Sequence, residues 1–349
     1  MNALPGDAAR HLELKGTFKK ASRLGNGHIN DTYLAEFADG PSLVLQRVNK
    51  VVFPDPEAIM ANIERVTEHL SRRCPDERRV LGLVRTLQGR SFWRDAEGEV
   101  WRAYRYQEGT ITRDVVGRAR EAYEAARAFG TFQYLLSDLD GPALRETLPG
   151  FHDTPRRLAA LEAAAAADRA GRAAAASAEL AFARAHADWA GLLVKAGLPA
   201  RVTHNDTKIN NVLFEADSGR GLCVIDLDTV MPGLMPYDFG DLVRTAVSPA
   251  AEDESDLAKV EVRLDVFEAL VQGWREGAGN ALGEGEKALL PASGRVIAYE
   301  LGLRFLSDYL DGDRYFKIRR PEHNLERARV QLRLAGELAA READLRRFL

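Results

Sequence analysis

Short alternating segments fill the first part of the chain, and longer amphipathic ones fill the rest. Residues 19–24 run into Gly25-Asn26-Gly27, residues 32–37 alternate between apolar and polar positions, and Asp39-Gly40 stands before residues 42–48. Two such runs joined by Asp-Gly pair as an antiparallel hairpin. Residues 54–70 place Ile59, Ile63, Val66 and Leu70 at near-helical spacing behind Pro56, the mark of an amphipathic helix with proline in its first turn. Further strands are expected over 80–87 and 99–106. After Asp114 the pattern changes to an amphipathic helix over 118–136, an irregular loop over 149–155, and an Ala-rich helix over 156–195 broken near Gly171. Helices over 256–273 and 286–309, a turn at Asp311-Gly312-Asp313, and a last helix from about 324 complete the chain. Strands first and helices later predict an α+β chain of two lobes, residues 1–108 and 109–349, with an antiparallel-sheet N-lobe and a mainly helical C-lobe.

One stretch carries chemistry rather than periodicity. Val202-Thr203-His204-Asn205-Asp206-Thr207-Lys208-Ile209-Asn210-Asn211 is followed by the apolar run Leu222-Cys223-Val224-Ile225, which ends in Asp226. It supplies a carboxylate, a carboxamide five residues on, and a second carboxylate at the end of a buried strand. Phosphoryl transfer from a nucleotide needs these parts: an acid to orient and deprotonate a hydroxyl, and two oxygen ligands for Mg2+ on the phosphates. The spacing H-x-D-x-x-x-x-N is that of a kinase catalytic loop, and Asp226 falls where the metal-binding Asp is expected. Asp206 is therefore the expected base, with Asn211 and Asp226 the expected metal ligands. His204 reads as a residue that fixes the loop, not as a proton carrier.

Asp238-Phe239-Gly240 spells the kinase D-F-G, but it follows a loop with two prolines and a glycine instead of an apolar strand. With Asp241 it precedes Leu242-Val243-Arg244, which reads as a helix start, so capping and backbone bonding are the expected roles. Gly25-x-Gly27 lacks the following helix of a dinucleotide fingerprint. Between two antiparallel strands it matches the flap over ATP phosphates, although a plain hairpin turn has the same composition. A kinase-like lobe takes a cation from its third strand and a Glu from the next helix, here Arg47 and Glu64; a solvated helix charge is the other possibility for Glu64. Arg in place of Lys changes the geometry of phosphate binding. The strand over 99–106 ends in Gln107-Glu108-Gly109, a polar stretch suited to joining two lobes around the adenine of ATP.

Composition narrows the classes. Of 349 residues, 46% are apolar and 29% charged, ordinary for a globular protein with material for a sizeable core. A net charge of −4 gives no general attraction to nucleic acid or anionic membrane. Cys74 and Cys223 lie far apart and make neither a disulfide framework nor a zinc site. With no apolar leader in residues 1–15 and no run of eighteen apolar residues, a cytoplasmic protein is expected.

Taken together, 202–211, 224–229 and 237–244 resemble the aminoglycoside phosphotransferase and choline kinase group of kinase-like enzymes. Longer strings are similar to bacterial N-acetylhexosamine 1-kinases: GNGHINDTY at 25–33, LQRVN at 45–49, LPGFHDTP at 148–155, VIDLDTVMPG at 224–233, and 301–315 with 323–327. That resemblance implies a bilobal protein-kinase-like fold and ATP-dependent phosphorylation of an N-acetylhexosamine at its anomeric hydroxyl. It also implies sugar contacts from His28, Asp228, Arg304 and Tyr315. Read alone, His28 suits an exposed turn, Arg304 and Asp308 an i, i+4 pair, and Tyr315 the core. An aminoglycoside or amino alcohol as acceptor stays open, as does a nucleotide-binding pseudokinase acting through protein contacts.

Overall fold

Alternation and turns place six strands of the N-terminal part in one antiparallel sheet. The computed structural model describes residues 4–14, 16–25, 29–140 and 144–349. After a short helix, α1 (Pro5–Ala9), come β1 (Phe18–Arg23), β2 (Asp31–Phe37) and β3 (Leu43–Arg47). Helix α2 (Pro56–Arg73) follows, then β4 (Leu83–Val84), β5 (Trp93–Arg94) and β6 (Val100–Arg105). The order is β1-β2-β3-β6-β4, with β5 also paired to β6. The Asp39-Gly40 turn joins β2 to β3 as expected. The strand expected over 80–87 shrinks to two residues, because its flanks leave the sheet and only Thr86 makes an isolated bridge, to Leu12.

Period-two alternation gives this sheet two faces. Leu43, Leu45 and Ala103 turn one way, into a small core with Ala9, Leu12 and Phe37. Val44 turns the other way and packs into the large core that includes Ile59, Met60, Ile63 and Val66 of α2. Asp55 caps α2 by accepting from Ala58 N at 3.0 Å, and Pro56 occupies the first turn, where its missing N–H costs nothing.

The chain passes over at residues 106–109. Beyond them β7 (Thr110–Ile111) pairs with β9 (Val212–Glu215), which pairs with β10 (Gly221–Val224), while β8 (Arg201–Thr203) pairs with β11 (Met231–Gly233). The rest is helical: α3 (Ala119–Leu135), α4 (Thr154–Ala167), α5 (Ser177–Ala185), α6 (Met235–Ala246), α7 (Leu264–Ala278), α8 (Glu284–Leu310), α9 (His323–Ala340) and α10 (Glu342–Leu345). The architecture is the bilobal, protein-kinase-like α+β fold. The Ala-rich segment breaks where Asp168 adopts a left-handed conformation at the end of α4 and Gly171 another beyond it. Two expected helix starts move. α6 begins at Met235, before Leu242, since Pro236 is tolerated in its first turn; α7 begins at Leu264, after a short turn at Leu257–Lys259. No helix among the described residues is long and apolar enough to cross a membrane. Both cysteines are free and buried.

The lobes meet through polar groups as well as apolar ones. Asn62 of α2 donates to Arg145 O at 2.8 Å and to Val230 O at 3.0 Å. Arg102 of β6 lies in a closed ion pair with Asp228, their side chains 0% and 4% exposed. Gln46 Oε1 accepts from the same guanidinium at 3.0 and 2.8 Å, and Asn30 Nδ2 donates to Asp228 at 2.6 Å. Removing one partner of such a pair leaves a buried, uncompensated charge. Asp228→Asn is therefore expected to lower the unfolding free energy by about 3–5 kcal/mol in urea titrations. The double variant Arg102→Met/Asp228→Leu should recover most of that loss, and equal losses in the single and double variants would show that the pair is not the source.

Candidate active site

The β9–β10 hairpin sets the geometry of the site. Val212 pairs with Val224, and Ile225 N donates to Asn211 O at 2.9 Å, so Asn211 before one strand lies beside Asp226 after the other. Asp226 takes a left-handed conformation (φ 61°), which a short polar side chain tolerates. Asp206 lies five residues before Asn211, whose amide Nδ2 donates to Asp206 O at 2.7 Å and to its carboxylate at 3.2 Å.

Backbone bonds hold this loop. Asp238, buried in α6, accepts from His204 N at 2.9 Å, Asn205 N at 2.7 Å and Gln133 Nε2 at 2.5 Å. Its role is backbone bonding, as its position in the sequence indicates. His204 Nε2 donates to Ile225 O at 2.9 Å, and its Nδ1 accepts from Asp206 N at 3.3 Å, so the ring ties the two acid-bearing segments together. Its ring meets Phe129 and Phe132 edge-on. Asn205, also left-handed (φ 63°), packs so near β11 that a Cβ on Gly233 would stand 2.2 Å from Thr203 Oγ1 and 2.9 Å from Asn205 Oδ1.

Charge is arranged around the carboxylates. Burial disfavours charge on Asp206, but Lys208 Nζ, 2.9 Å from Oδ1, holds the carboxyl below its ordinary value. Asp226 opens to the cleft yet is surrounded by protein, and that environment, with Asp228 and Asp206 nearby, pushes its carboxyl up to about 6. Among the described residues, nothing donates a hydrogen bond to the Asp226 carboxylate or the Asn211 side-chain oxygen. Among the described residues, no group of three or more His, Cys, Asp or Glu forms a metal cage. Two uncommitted hard oxygens fit Mg2+, which keeps waters and substrate phosphates in its remaining positions.

The nucleotide candidates divide. Glu64, Gln107 and Glu108 line one cavity of about 820 Å3. The expected Arg47–Glu64 pair does not form: Arg47 bonds Asp31 at 2.5 Å, and Glu64 accepts from Arg85 at 2.5 Å. The cause is strand parity, because Arg47 shares the face of Leu43 and Leu45 while α2 covers the face of Val44 and Gln46. The guanidinium on the α2 side is Arg102, whose terminal nitrogen approaches Met60 Sδ at 3.9 Å. An Arg in the apolar strand 100–104 was the available clue, since a buried charge demands a partner. Gly25 turns with φ of 70°, and Gly27 and His28 lie outside the described residues.

Of the acceptor candidates, Arg304 and Tyr315 line a cavity of about 330 Å3. Asp228 does not join them, because Arg102 and Asn30 occupy its carboxylate. Arg304 makes no helical pair with Asp308. That carboxylate instead accepts from the backbone N–H groups of Arg314, Tyr315 and Phe316 at 2.8–2.9 Å, and Tyr315 is 63% exposed, outside the core. Sequence reasoning passed over Lys208, two residues after the base, and His152, inside the 148–155 string. His152 donates from Nε2 to Asn205 O at 3.2 Å and from Nδ1 to Glu300 at 2.9 Å, and Thr154 Oγ1 completes Glu300 at 2.7 Å.

Both His152 nitrogens donate, so the ring is an imidazolium. Burial works to lower its pKa, but Glu300, with Asp241 adding to it and Arg304 opposing, raises it above the ordinary value. A raised histidine pKa contributes stability that is complete below the unfolded value of about 6.5 and is lost as pH rises through the folded value. The gap in unfolding free energy between wild type and His152→Gln should therefore be widest in mildly acid solution and narrow toward alkaline pH. A gap that does not change with pH would mean that the ring is neutral.

Comparison with known proteins places this geometry. An aminoglycoside phosphotransferase from Alicyclobacillus acidocaldarius superposes with a TM-score of 0.65 at 14% identity, over 99% of this chain and 96% of that one. A microcompartment-associated aminopropanol kinase gives 0.65 at 16%, over 97% of each chain. A choline kinase from Cryptosporidium parvum gives 0.55 at 11%, over 92% of this chain and 90% of that one. These likenesses are of fold. The model of the phosphotransferase enzyme family matches residues 20–279, most of the chain and all of the catalytic loop, and the chain belongs to that family.

Proposed function

We propose that the protein transfers the γ-phosphoryl group of ATP to a hydroxyl of a small acceptor, and that this acceptor is an N-acetylhexosamine phosphorylated at its anomeric hydroxyl. Residues 1–108 serve as the nucleotide lobe and residues 109–349 carry the catalytic loop and the acceptor. One observation carries the reaction class: Asp206, made ionic by Lys208, shares a loop with Asn211 and faces the strand end that bears Asp226. Asp206 accepts a hydrogen bond from the acceptor hydroxyl, orients it for in-line attack and takes its proton as the new P–O bond forms. Lys208 adds positive charge beside the incoming phosphoryl group. Mg2+, held through Asn211 and Asp226, supplies charge neutralisation on the phosphates when bound.

The sugar rests on the resemblance of the 25–33, 148–155, 224–233 and 301–315 strings, and on a pocket that joins Arg304 with the aromatic ring of Tyr315. Related folds named for aminoglycosides, aminopropanol and choline would supply cationic acceptors. The acids lining this pocket have partners: Asp308 binds backbone amides, and Asp311 pairs with Arg169 at 2.9 Å. A cation would therefore meet two guanidinium groups, Arg157 and Arg304, that no carboxylate pairs with among the described residues. Buried free thiols suit a reducing, cytoplasmic setting.

ADP release with ATP and Mg2+ against free sugars, amino alcohols and aminoglycosides, with phosphorus NMR of the product, tests this reading. A 1-phosphate from N-acetylglucosamine or N-acetylgalactosamine is expected. Turnover of an amino alcohol alone would reject the sugar, and silence with nucleotide bound would favour a pseudokinase. In the same assay Asp206→Asn should lower kcat by about 10²–10⁴ with the KM for ATP unchanged. Full activity would remove Asp206 from the base role.

A further inference from the structure

The cavity of about 330 Å3 lies between the loop 148–151, α4 and the end of α8. Its wall residue Phe151 precedes His152, which bonds the carbonyl of Asn205, so the cavity adjoins the catalytic loop. Two guanidiniums line it. Arg304 lies between the rings of Phe151 and Phe316, 5.1 and 5.6 Å from their centroids. Arg157 donates one terminal N–H to Phe151 O at 2.9 Å, while its Nε is buried without a hydrogen-bond partner. Neither forms an ion pair among the described residues.

The carboxylates nearby are all committed. Asp308 accepts three backbone N–H groups and Asn324 Nδ2 at 2.9 Å. Asp311 pairs with Arg169, and Glu300 is bound to His152 and Thr154. Burial, and then the like charge of Arg304, lower the pKa of Arg157. Two guanidiniums side by side with no carboxylate paired to either are unfavourable until a ligand supplies an oxygen to their open N–H groups.

We infer that Arg157 is an acceptor-recognition residue: its guanidinium, with that of Arg304, binds a carbonyl or carboxylate oxygen on the phosphoryl acceptor, so the site takes neutral or anionic acceptors and turns away amines. This rests on the small-acceptor kinase reading of the same site. It adds a residue and a selection rule. An N-acyl sugar and a sugar acid share the required chemistry, and a protonated hexosamine inverts it.

The test compares kcat/KM for N-acetylhexosamine, hexuronate, unsubstituted hexose and hexosamine in the wild type, Arg157→Lys and Arg157→Gln. The KM for ATP and the thermal midpoint report the integrity of each variant. Arg157→Lys keeps the charge and a donor for Phe151 O but removes the planar fork of N–H groups that could bind both Phe151 O and a ligand oxygen. The wild type should prefer a carbonyl- or carboxylate-bearing sugar to the hexosamine, and both variants should shrink that preference roughly 10- to 100-fold at constant KM for ATP. The preferred member of the first two substrates identifies the oxygen. An unchanged preference, or equal loss on every acceptor, would overturn the inference and leave the kinase reading standing. A wild-type preference for the amine would overturn the inference and, with it, the N-acetylhexosamine acceptor, and would leave only the phosphotransferase reading standing.

Discussion

The buried carboxylate of Asp238 is the constraint on which the site depends. It accepts the consecutive backbone N–H groups of His204 and Asn205 and a side-chain amide from α3. Those two amides begin a loop that cannot use sheet or helix bonding, so without Asp238 they would be buried unpaired at a cost of about 1–3 kcal/mol each. With them satisfied, Asn205 can turn left-handed and Asp206 can stand next to Lys208. His204 extends the constraint to Ile225, and His152 adds a charged bond from the other side. Catalysis of phosphoryl transfer rests on positioning and electrostatics, and the bonding here serves both.

What could be read from the chain follows from how local each signal is. Asp206, Asn211 and Asp226 are close in sequence and joined by one hairpin, so spacing and an apolar strand are enough to locate them. Asp238 was separable from a metal ligand by what precedes it, and its partners bear that out. The two-lobed α+β order was likewise legible, because hairpin turns and helical periods are short-range patterns. Arg47 was not. Its neighbour Gln46 faces α2 and Arg47 does not, a difference of one residue that depends on which side of the sheet the helix covers. Arg102 and Asp228 form a pair across the lobes that no local spacing reveals. Asp308 reads as a helix partner for Arg304 until the following turn is seen to fold back onto it.

These long-range bonds give the acceptor side its character. Asp308 is turned inward to backbone amides and Asp311 is paired with Arg169, and two guanidiniums are left at the cavity wall. The family establishes the class of chemistry, whereas the disposition of charge in this pocket bears on which acceptor enters. On the nucleotide side the balance is reversed: the side-chain oxygens of Asp226 and Asn211 stay uncommitted, and the buried cation Arg102 is held by Asp228.

The central claim is that Asp206, Asn211 and Asp226 act as one metal-nucleotide and base unit. Mn2+ binding, followed by electron paramagnetic resonance with and without ATP, tests it directly in wild type, Asn211→Ala and Asp226→Asn. Asn accepts the left-handed backbone at 226, so the second substitution tests charge and not folding. The account predicts tight Mn2+ binding only in the presence of ATP in the wild type, and weakened binding in both variants. Ion binding that is equally tight in all three proteins would place the metal elsewhere and contradict the account.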